Sequence, residues 1–400
     1  MTPTEVNEAT ASVEVSDNSS MDSISVESVE VIEANTDALR REFIRLPLKL
    51  YKGSPHYVQP LISERKEFFD TKLNPFFASA RARLFLARKS GRTVGRIATC
   101  VYFAHNEIHH DKTGFFGFLD CIEDYDVCAK LLKVAMITLK QEGMDVMRGP
   151  ANFSLNHECG FLVEGFDSPP MLMMTYNPPY LPEFAEKFGL KKVMDLLAFR
   201  MTNQNSPSER VLRVVNIVKR KYKVKIRPIN MRRFDDEVDL INDIYNKSWE
   251  ANWGFVPVSK SEFKFAGRNL KQIVDPKLAL IAMVDDKPIA FSLALPNLNQ
   301  ALIHLNGRLL PWGIMKLFWH TKIRDKVDSI RILAMGVLPE YRNKGIDNIM
   351  HVQTFQNCIG TNYKWGELSW ILETNNLMIA VAESLGAKVY KRYRLMEMPI

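Results

Sequence analysis

The sequence predicts a mixed α/β protein built from two similar units in tandem. Three observations carry that expectation. Short apolar runs alternate with longer stretches whose apolar residues recur at helical spacing. The same order of elements is met twice along the chain, although the two halves are not obviously repetitive in sequence. Four hundred residues, 46% of them hydrophobic, also exceed what one compact unit usually holds.

Residues 1–36 carry eight acidic side chains, no Lys, Arg or aromatic residue, and many Ser, Thr and Val. Such a composition predicts a disordered acidic tail. From about Ala38 the periodicity turns helical. "RLFLARKSGRTVGRIATCVY" (Arg83 to Tyr102) is two apolar runs broken by Lys89, Ser90 and Gly91, which reads as a hairpin. "GFFGFLDCI" (Gly114 to Ile122) is a further strand. "DVCAKLLKVAMITLKQEG" (Asp126 to Gly143) is a helix with a good N-cap and a closing glycine.

"TNQNSPSER" (Thr202 to Arg210) is polar, contains a proline and is the best linker candidate. The order then recurs. A strand at Lys223 to Ile229 precedes two helices, around Phe234 to Trp249 and Ser259 to Ile273. A second hairpin, Leu278 to Leu295, turns at Asp285, Asp286 and Lys287. "IRILAMGV" (Ile330 to Val337) is a buried strand, Gly345 to Gly360 a helix, "ELSWI" (Glu367 to Ile371) a strand, and Asn375 to Gly386 a helix. "VYKRYRLMEM" (Val389 to Met398) supplies the closing strands of the second unit.

The formal charge of +7 hides a contrast: with the tail at −8, the remaining body carries +15. That field favours polyanionic partners, among them nucleotides, phosphate-bearing cofactors, anionic lipid surfaces and nucleic acid. The five cysteines form no C-x-x-C pair and are odd in number, which speaks against a disulfide framework or a zinc ribbon and fits a reducing cytosol. No uncharged apolar run reaches the roughly eighteen residues of a membrane span, and the N-terminus lacks a signal pattern. The expectation is a cytoplasmic protein, at most peripheral to the inner membrane surface.

The segment "GVLPEYRNKGID" (Gly336 to Asp347) carries the sharpest chemistry. A buried strand that feeds a helix through a polar loop leaves backbone N–H groups at the helix start without intrahelical partners, and with the helix dipole they form an anion cradle. Arg342 and Lys344 add charge, and Gly345 allows a close approach to a pyrophosphate. The pattern is neither a P-loop nor a G-x-G-x-x-G fingerprint.

Val337, Leu338, Pro339, Glu340, Tyr341, Arg342, Asn343, Lys344, Gly345, Ile346 and Asp347 resemble motif A of the GCN5-related N-acetyltransferases, the GNAT superfamily. "ETNNLMIAVAESLGAKVYKRY" resembles its motif B, with Asn375 or Asn376 opening the helix. The two motifs cover roughly seventy residues, and the element order extends the likeness over 206–400. The resemblance implies two tandem GNAT-like acyl-CoA N-acyltransferase domains, 37–205 and 206–400, each a twisted, mostly antiparallel sheet flanked by helices. It implies that acyl-CoA or acetyl-CoA is held by Met335, Val337, Arg342, Asn343, Lys344, Gly345, Ile346, Asp347 and Asn375, with no metal. An amine then attacks the thioester. Two departures stand out: Asp347 replaces a small residue, and Ala382 falls where many members carry a tyrosine that protonates the leaving thiolate. Tyr390 and Tyr393 are the candidate substitutes.

In the first half the matching turn reads "CIEDYDV" (Cys121 to Val127), and Glu123, Asp124 and Asp126 would repel a pyrophosphate. That half is therefore expected to be degenerate and to shape the acceptor side. Its long Gly/Pro/Asn-punctuated stretch, Arg148 to Phe184, carries Asn152, Asn156, His157, Glu158, Tyr176 and Asn177. Loops of that kind concentrate sites, and they also need polar groups to satisfy their own backbone. His157 beside Glu158 offers a base for the acceptor ammonium; Tyr176 and Tyr390 complete the candidate catalytic set. "HNEIHH" (His105 to His110) places His105 and His109 four apart with no third ligand in sight, the pattern of a surface loop. Trp249, Trp253 and Phe255 read as core or pocket wall.

"GRLLPWGIMKLFWHTKIRDK" (Gly307 to Lys326) interleaves apolar and basic residues over 309–324, as does an interfacial helix, a lid, or a helix packed on the sheet. Facing outward, it implies a lipid-like acceptor or acyl chain met at a membrane surface. The leading expectation is thus an N-acyltransferase acting on an amine. The alternative is a non-catalytic module whose basic surface binds anionic membrane or nucleic acid. Aminoacyl-tRNA, used by some tandem relatives, is the one nucleic-acid acceptor the resemblance admits.

Overall fold

The computed structural model describes residues 28–202, 207–309, 313–319 and 327–400. Its framework is one sheet of thirteen strands among those residues. The first half gives β1 (Glu30–Glu33), β2 (Ala80–Lys89), β3 (Arg92–Tyr102), β4 (Thr113–Cys121), β5 (Val146–Gly149), β6 (Phe161–Glu164) and β7 (Lys191–Thr202). The second gives β8 (Lys225–Pro228), β9 (Ala279–Val284), β10 (Lys287–Pro296), β11 (Ser329–Val337), β12 (Trp365–Leu372) and β13 (Lys388–Pro399).

Both hairpins turn on two residues with positive φ, Ser90 and Gly91 in one and Asp285 and Asp286 in the other. These are turns whose twist matches that of the strands they join. Alternation then sorts the side chains. Leu86, Ala98 and Cys100 pack with Phe43, Ile44 and Leu46 of the helix Asp37–Leu50, whereas Phe85, Ile97 and Val101 pack with Val127 and Leu131 of the helix Tyr125–Gln141. The second half repeats the scheme. Leu280, Ala282 and Ala290 face Ile346 and Met350 of the helix Ile346–Cys358, and Ala279, Ile281 and Phe291 face Ile241 and Tyr245 of the helix Phe234–Trp249.

The strand order is β1-β2-β3-β4-β5-β13-β7-β12-β11-β10-β9-β8, with β6 paired to β13. Read from either end it gives the same sequence of roles, because the halves exchange their last strands. β13 was expected to close the second unit; it is a single strand that lies between β5 and β7 instead. β7 in turn pairs with β12 of the second half. Apart from two parallel pairs, β4 with β5 and β11 with β12, the sheet is antiparallel.

Two local expectations need correction. Residues 30–33, assigned to the disordered tail, form β1 on the edge of β2, and Thr36 caps the helix that follows. "HNEIHH" is not a surface loop: it contributes to the helix Phe103–His109, and His105 is buried at 1% exposure. Residues 1–27, the linker positions 203–206, and 310–312 and 320–326 of the hydrophobic insertion lie outside the described residues. Among those described, no helix is long and apolar enough to cross a membrane. All five cysteines are free and buried.

Candidate active site

β11 leads into the basic turn. After it, Pro339–Tyr341 makes one tight turn, Arg342 is extended, and Asn343 and Gly345 are left-handed at φ 57° and 74°. The helix Ile346–Cys358 begins immediately, with Gly345 as an N-cap that offers no side chain to its N–H groups. Five other helices are capped by Thr36, Asp124, Ser208, Ser259 and Asn375. The start of this helix therefore retains the partial positive charge that suits an anion. Arg342 Nη2 donates to Ser248 O at 2.7 Å and ties the turn to the end of the helix Phe234–Trp249. The Lys344 ammonium lies 5.1 Å and 5.5 Å from the ring centroids of Tyr341 and Tyr222.

β11 and β12 are paired in parallel only from Ser329 with Trp365 to Ile332 with Leu368. Beyond that point they part. Pairing of β11 with β10 also skips Leu333, an extra residue at the mouth of the split. A cavity of about 490 Å³ occupies the gap. On one face of the sheet it is bordered by Asp347, His351, Asn375 and Met378, and on the other by Tyr245, Trp249, Trp253 and Phe255. It extends between the helices Phe234–Trp249 and Lys260–Leu270, where Phe234, Ile241, Phe263, Leu270 and Val274 make an apolar wall. The first half closes it with Ser154, Leu155, Asn156, His157, Glu158 and Cys159.

In the first half the same split is filled. β4 and β5 are paired only to Phe115 with Arg148. The chain after β5 then folds into the gap: Ala151 N donates to Phe116 O at 2.7 Å, and Phe118 N donates to Asn152 Oδ1 at 2.9 Å. The neighbouring helix start is taken as well, since Asp124 accepts from the N–H groups of Asp126 and Val127 at 3.0 and 3.4 Å. A hydrogen bond from Lys89, ahead of those backbone bonds, holds the Asp124 carboxyl below its usual range.

The filling loop delivers the first-half candidates. Asn152 Nδ2 donates to Glu158 Oε2 at 3.1 Å, and the other carboxylate oxygen of Glu158 pairs with Arg65. His157 is oriented by Ser154, whose Oγ lies 2.9 Å from Nδ1, and by edge-on packing against Phe68 and Phe76. Burial pulls its imidazole down to about 4, outweighing the opposite pull of Glu158. His157 and Glu158 thus share one cavity with Met335, Val337, Arg342, Asn343, Asp347 and Asn375. Lys344, Gly345 and Ile346 shape the turn without bordering that cavity. Tyr176 lies apart, on a second cavity of about 100 Å³, with its hydroxyl 2.8 Å from Ser54 Oγ. Tyr390 and Tyr393 border neither cavity.

Tyr390 instead donates to Glu367, within a charged knot at the seam of the halves. Arg331 is 2% exposed, and Glu367 and Lys391 are fully buried. Arg331 donates to Ser369 Oγ at 2.9 Å and to Leu172 O and Met173 O at 2.7 and 3.0 Å, with Glu367 Oε1 at 3.6 Å. Lys391 binds Gly165 O and Ser168 O. Burial pushes Glu367 up and Arg331 and Lys391 down. The knot fastens the loop after β6 to β11, β12 and β13, and Arg331 and Ser369 reach the cavity. Sequence reading missed it, although an arginine inside "IRILAM" and a glutamate inside "ELSWI" are charges in buried strands, which need partners. Trp249, expected as core or pocket wall, also donates from Nε1 to Met335 O at 2.9 Å. Among the described residues no group of three or more His, Cys, Asp and Glu is placed to hold a metal ion.

Two proteins align with almost the whole chain. Protein YghO of Escherichia coli (strain K12) is 37% identical over 364 residues, 90% of this chain and 93% of its own. The bacterial ceramide synthase of Caulobacter vibrioides is 34% identical over 380 residues, 92% and 97% of the two chains. Among solved structures, a tandem GNAT protein from the clavulanic acid biosynthesis pathway superposes with TM-score 0.55 at 11% identity, covering 93% of this chain and 98% of that one. The GCN5-related glucosamine N-acetyltransferase region of a fungal multi-domain GH3 β-N-acetylglucosaminidase superposes with TM-score 0.56 at 14% identity, covering 94% and 38%. No family model matches the chain. At such identities the two structures establish the fold.

Glu367 faces both Arg331 and Lys391 in the knot, with Asp167 as a further counter-charge to Lys391, so Glu367→Gln leaves the buried Arg331 guanidinium without its carboxylate. We expect a loss of about 3–5 kcal/mol in denaturant unfolding. An unchanged midpoint would show that the knot does not hold the seam.

Proposed function

We propose that this chain, which belongs to the family of Protein YghO and the bacterial ceramide synthase and has the fold of the tandem GNAT protein, is an N-acyltransferase moving a fatty acyl group from an acyl-CoA thioester to the amine of a lipid-like acceptor. The observation that carries this reading is the continuity of one cavity, from the uncapped turn at Arg342–Asp347, through the split between β11 and β12, to His157. In this reading the first unit, 37–205, serves the acceptor and the second, 206–400, the donor.

The parts divide the chemistry among them. The backbone N–H groups at the start of the helix Ile346–Cys358 receive the diphosphate, and the free edge of β11 beyond Ile332 lies alongside the pantetheine arm. The Leu333 N–H, outside both ladders, is the donor for the oxyanion that develops on the thioester carbonyl. In the tautomer whose Nδ1–H donates to Ser154, His157 keeps a lone pair on Nε2. With its imidazole held down to about 4, that base is free at neutral pH. It takes the amine proton as the C–N bond forms and the C–S bond breaks, and returns it to the departing thiolate. Glu158, paired with Arg65, positions the loop rather than accepting the proton.

The apolar wall between the helices Phe234–Trp249 and Lys260–Leu270 supports a long hydrocarbon on the acyl group or the acceptor. A ceramide is the amide of a long-chain amine and a fatty acid, so the Caulobacter relative points to the same chemical class. Met315 and Trp319, 63% and 47% exposed at the helix Gly313–Phe318, support contact with a membrane surface during substrate pick-up.

The donor half is tested by Arg342→Gln and Gly345→Val, the latter forcing a branched side chain into a left-handed position at a cost of roughly 1–2 kcal/mol. Each should raise KM for an acyl-CoA at least about tenfold with folding retained by circular dichroism. Unchanged kinetics in both contradict the assignment. For the acceptor half, His157→Gln should lower kcat by about 10²–10⁴-fold. The limb of the kcat/KM profile that belongs to His157 should lie near pH 4 rather than 6.5, because protonation removes the base, and it should vanish in the variant. A full-rate variant, or a limb that persists in it, excludes His157.

A further inference from the structure

The helix that opens at the phosphate turn carries two buried polar side chains without a hydrogen-bond partner, Thr354 and His351, and of the two it is His351 that borders the cavity. Ile346, Ile349, Met350 and Val352 bury apolar side chains in the second-half core. His351 is buried among the same elements at 5% exposure, yet neither ring nitrogen has a hydrogen-bond partner. An apolar residue would fill such a position at no cost, whereas each unsatisfied buried polar atom costs on the order of 1–3 kcal/mol. Retention of an imidazole here calls for a ligand.

Its surroundings say which one. His351 borders the 490 Å³ cavity one helical turn beyond Asp347, on the donor side of the split. The neighbouring wall there is made by Met335 and Val337 of β11 and by Met378, all apolar. Asn375 Oδ1 is taken up in capping its own helix, where it accepts from Met378 N. The Met335 carbonyl of β11 is already bound by Trp249 Nε1 at 2.9 Å. With Asn375 Oδ1 and Met335 O taken, an arm bearing amide and hydroxyl groups that passes this point has a use for the imidazole. A neutral imidazole carries one donor and one acceptor, which matches an amide. Rotation about χ2, a soft torsion for a histidine ring, turns a nitrogen toward the cavity.

We propose that His351 is a specificity residue for the phosphopantetheine arm of the donor, hydrogen-bonding it through an imidazole nitrogen on the face of the split opposite His157. The proposal rests on the donor reading given above. The arm is common to coenzyme A and to 4′-phosphopantetheine carried by other molecules, and the test separates the arm from the nucleotide.

Calorimetric titrations with coenzyme A, 4′-phosphopantetheine and adenosine 3′,5′-bisphosphate are run on the full chain, its His351→Leu variant and its His351→Gln variant. His351→Leu should weaken coenzyme A and 4′-phosphopantetheine about tenfold, the scale of one or two hydrogen bonds, and leave the bisphosphate unchanged. Its melting temperature should be equal or higher, since an unsatisfied polar group has been removed. Glutamine, with one donor and one acceptor of its own, should recover most of the loss. Undiminished coenzyme A affinity in His351→Leu overturns the proposal while leaving the donor reading intact. So does a parallel fall for all three ligands together with the melting temperature, which marks a merely structural role. A wild-type chain that binds none of the three overturns the donor reading and this inference with it.

Discussion

Two parallel strands that part from one another cannot satisfy the backbone groups on the edges they turn toward each other. Buried N–H and C=O groups left in that state are costly, so something must enter the gap. This chain contains the problem twice and meets it in two ways. Between β4 and β5 the gap is closed by the protein itself, with Asn152 taking the Phe118 N–H and Ala151 donating to Phe116 O. Space for that loop exists because Gly117 and Gly149 lack side chains: a Cβ at either would sit 2.0 or 2.2 Å from a backbone oxygen. Between β11 and β12 no such loop enters from among the described residues, and a cavity remains.

The closed gap and the open one are mechanically linked. Five residues after Asn152 the same loop places His157 on the wall of the second-half cavity, and Glu158 ties it to Arg65 on the way. The exchange of β7 and β13 puts each half's last strand beside the other half's parallel pair, so neither half completes its sheet alone. Across that seam the knot of Arg331, Glu367 and Lys391 pins the loop after β6. Such buried charge contributes little net stability, whereas removal of one partner from it is costly. The helix starts repeat the contrast: Asp124 supplies its own anion in the first half, whereas Gly345 supplies none in the second.

Much of this was legible before the coordinates. The hairpins, the strand before Arg342 and the helices at 234–249 and 346–358 follow from alternation and helical spacing. The missed features are those that depend on distant partners. β1 is a four-residue edge strand in a tail whose composition is that of disorder, and only its pairing with β2 makes it ordered. "VYKRYRLMEM" reads as a strand, but nothing local tells it to insert beside β5 rather than close its own unit. His105 looked exposed because its neighbours are polar, yet the short helix turns it inward. Tyr390 falls inside the motif B stretch, and its hydroxyl is engaged by Glu367, a residue 23 positions away.

One split is filled and the other open, so the number of donor sites per folded chain is the decisive quantity. Titration of the full-length protein with coenzyme A at known active concentration measures it directly. The account predicts a stoichiometry of one. Two sites would mean that the Asn152 loop does not block the first split, and saturable binding at neither would mean that the second is not a donor cleft.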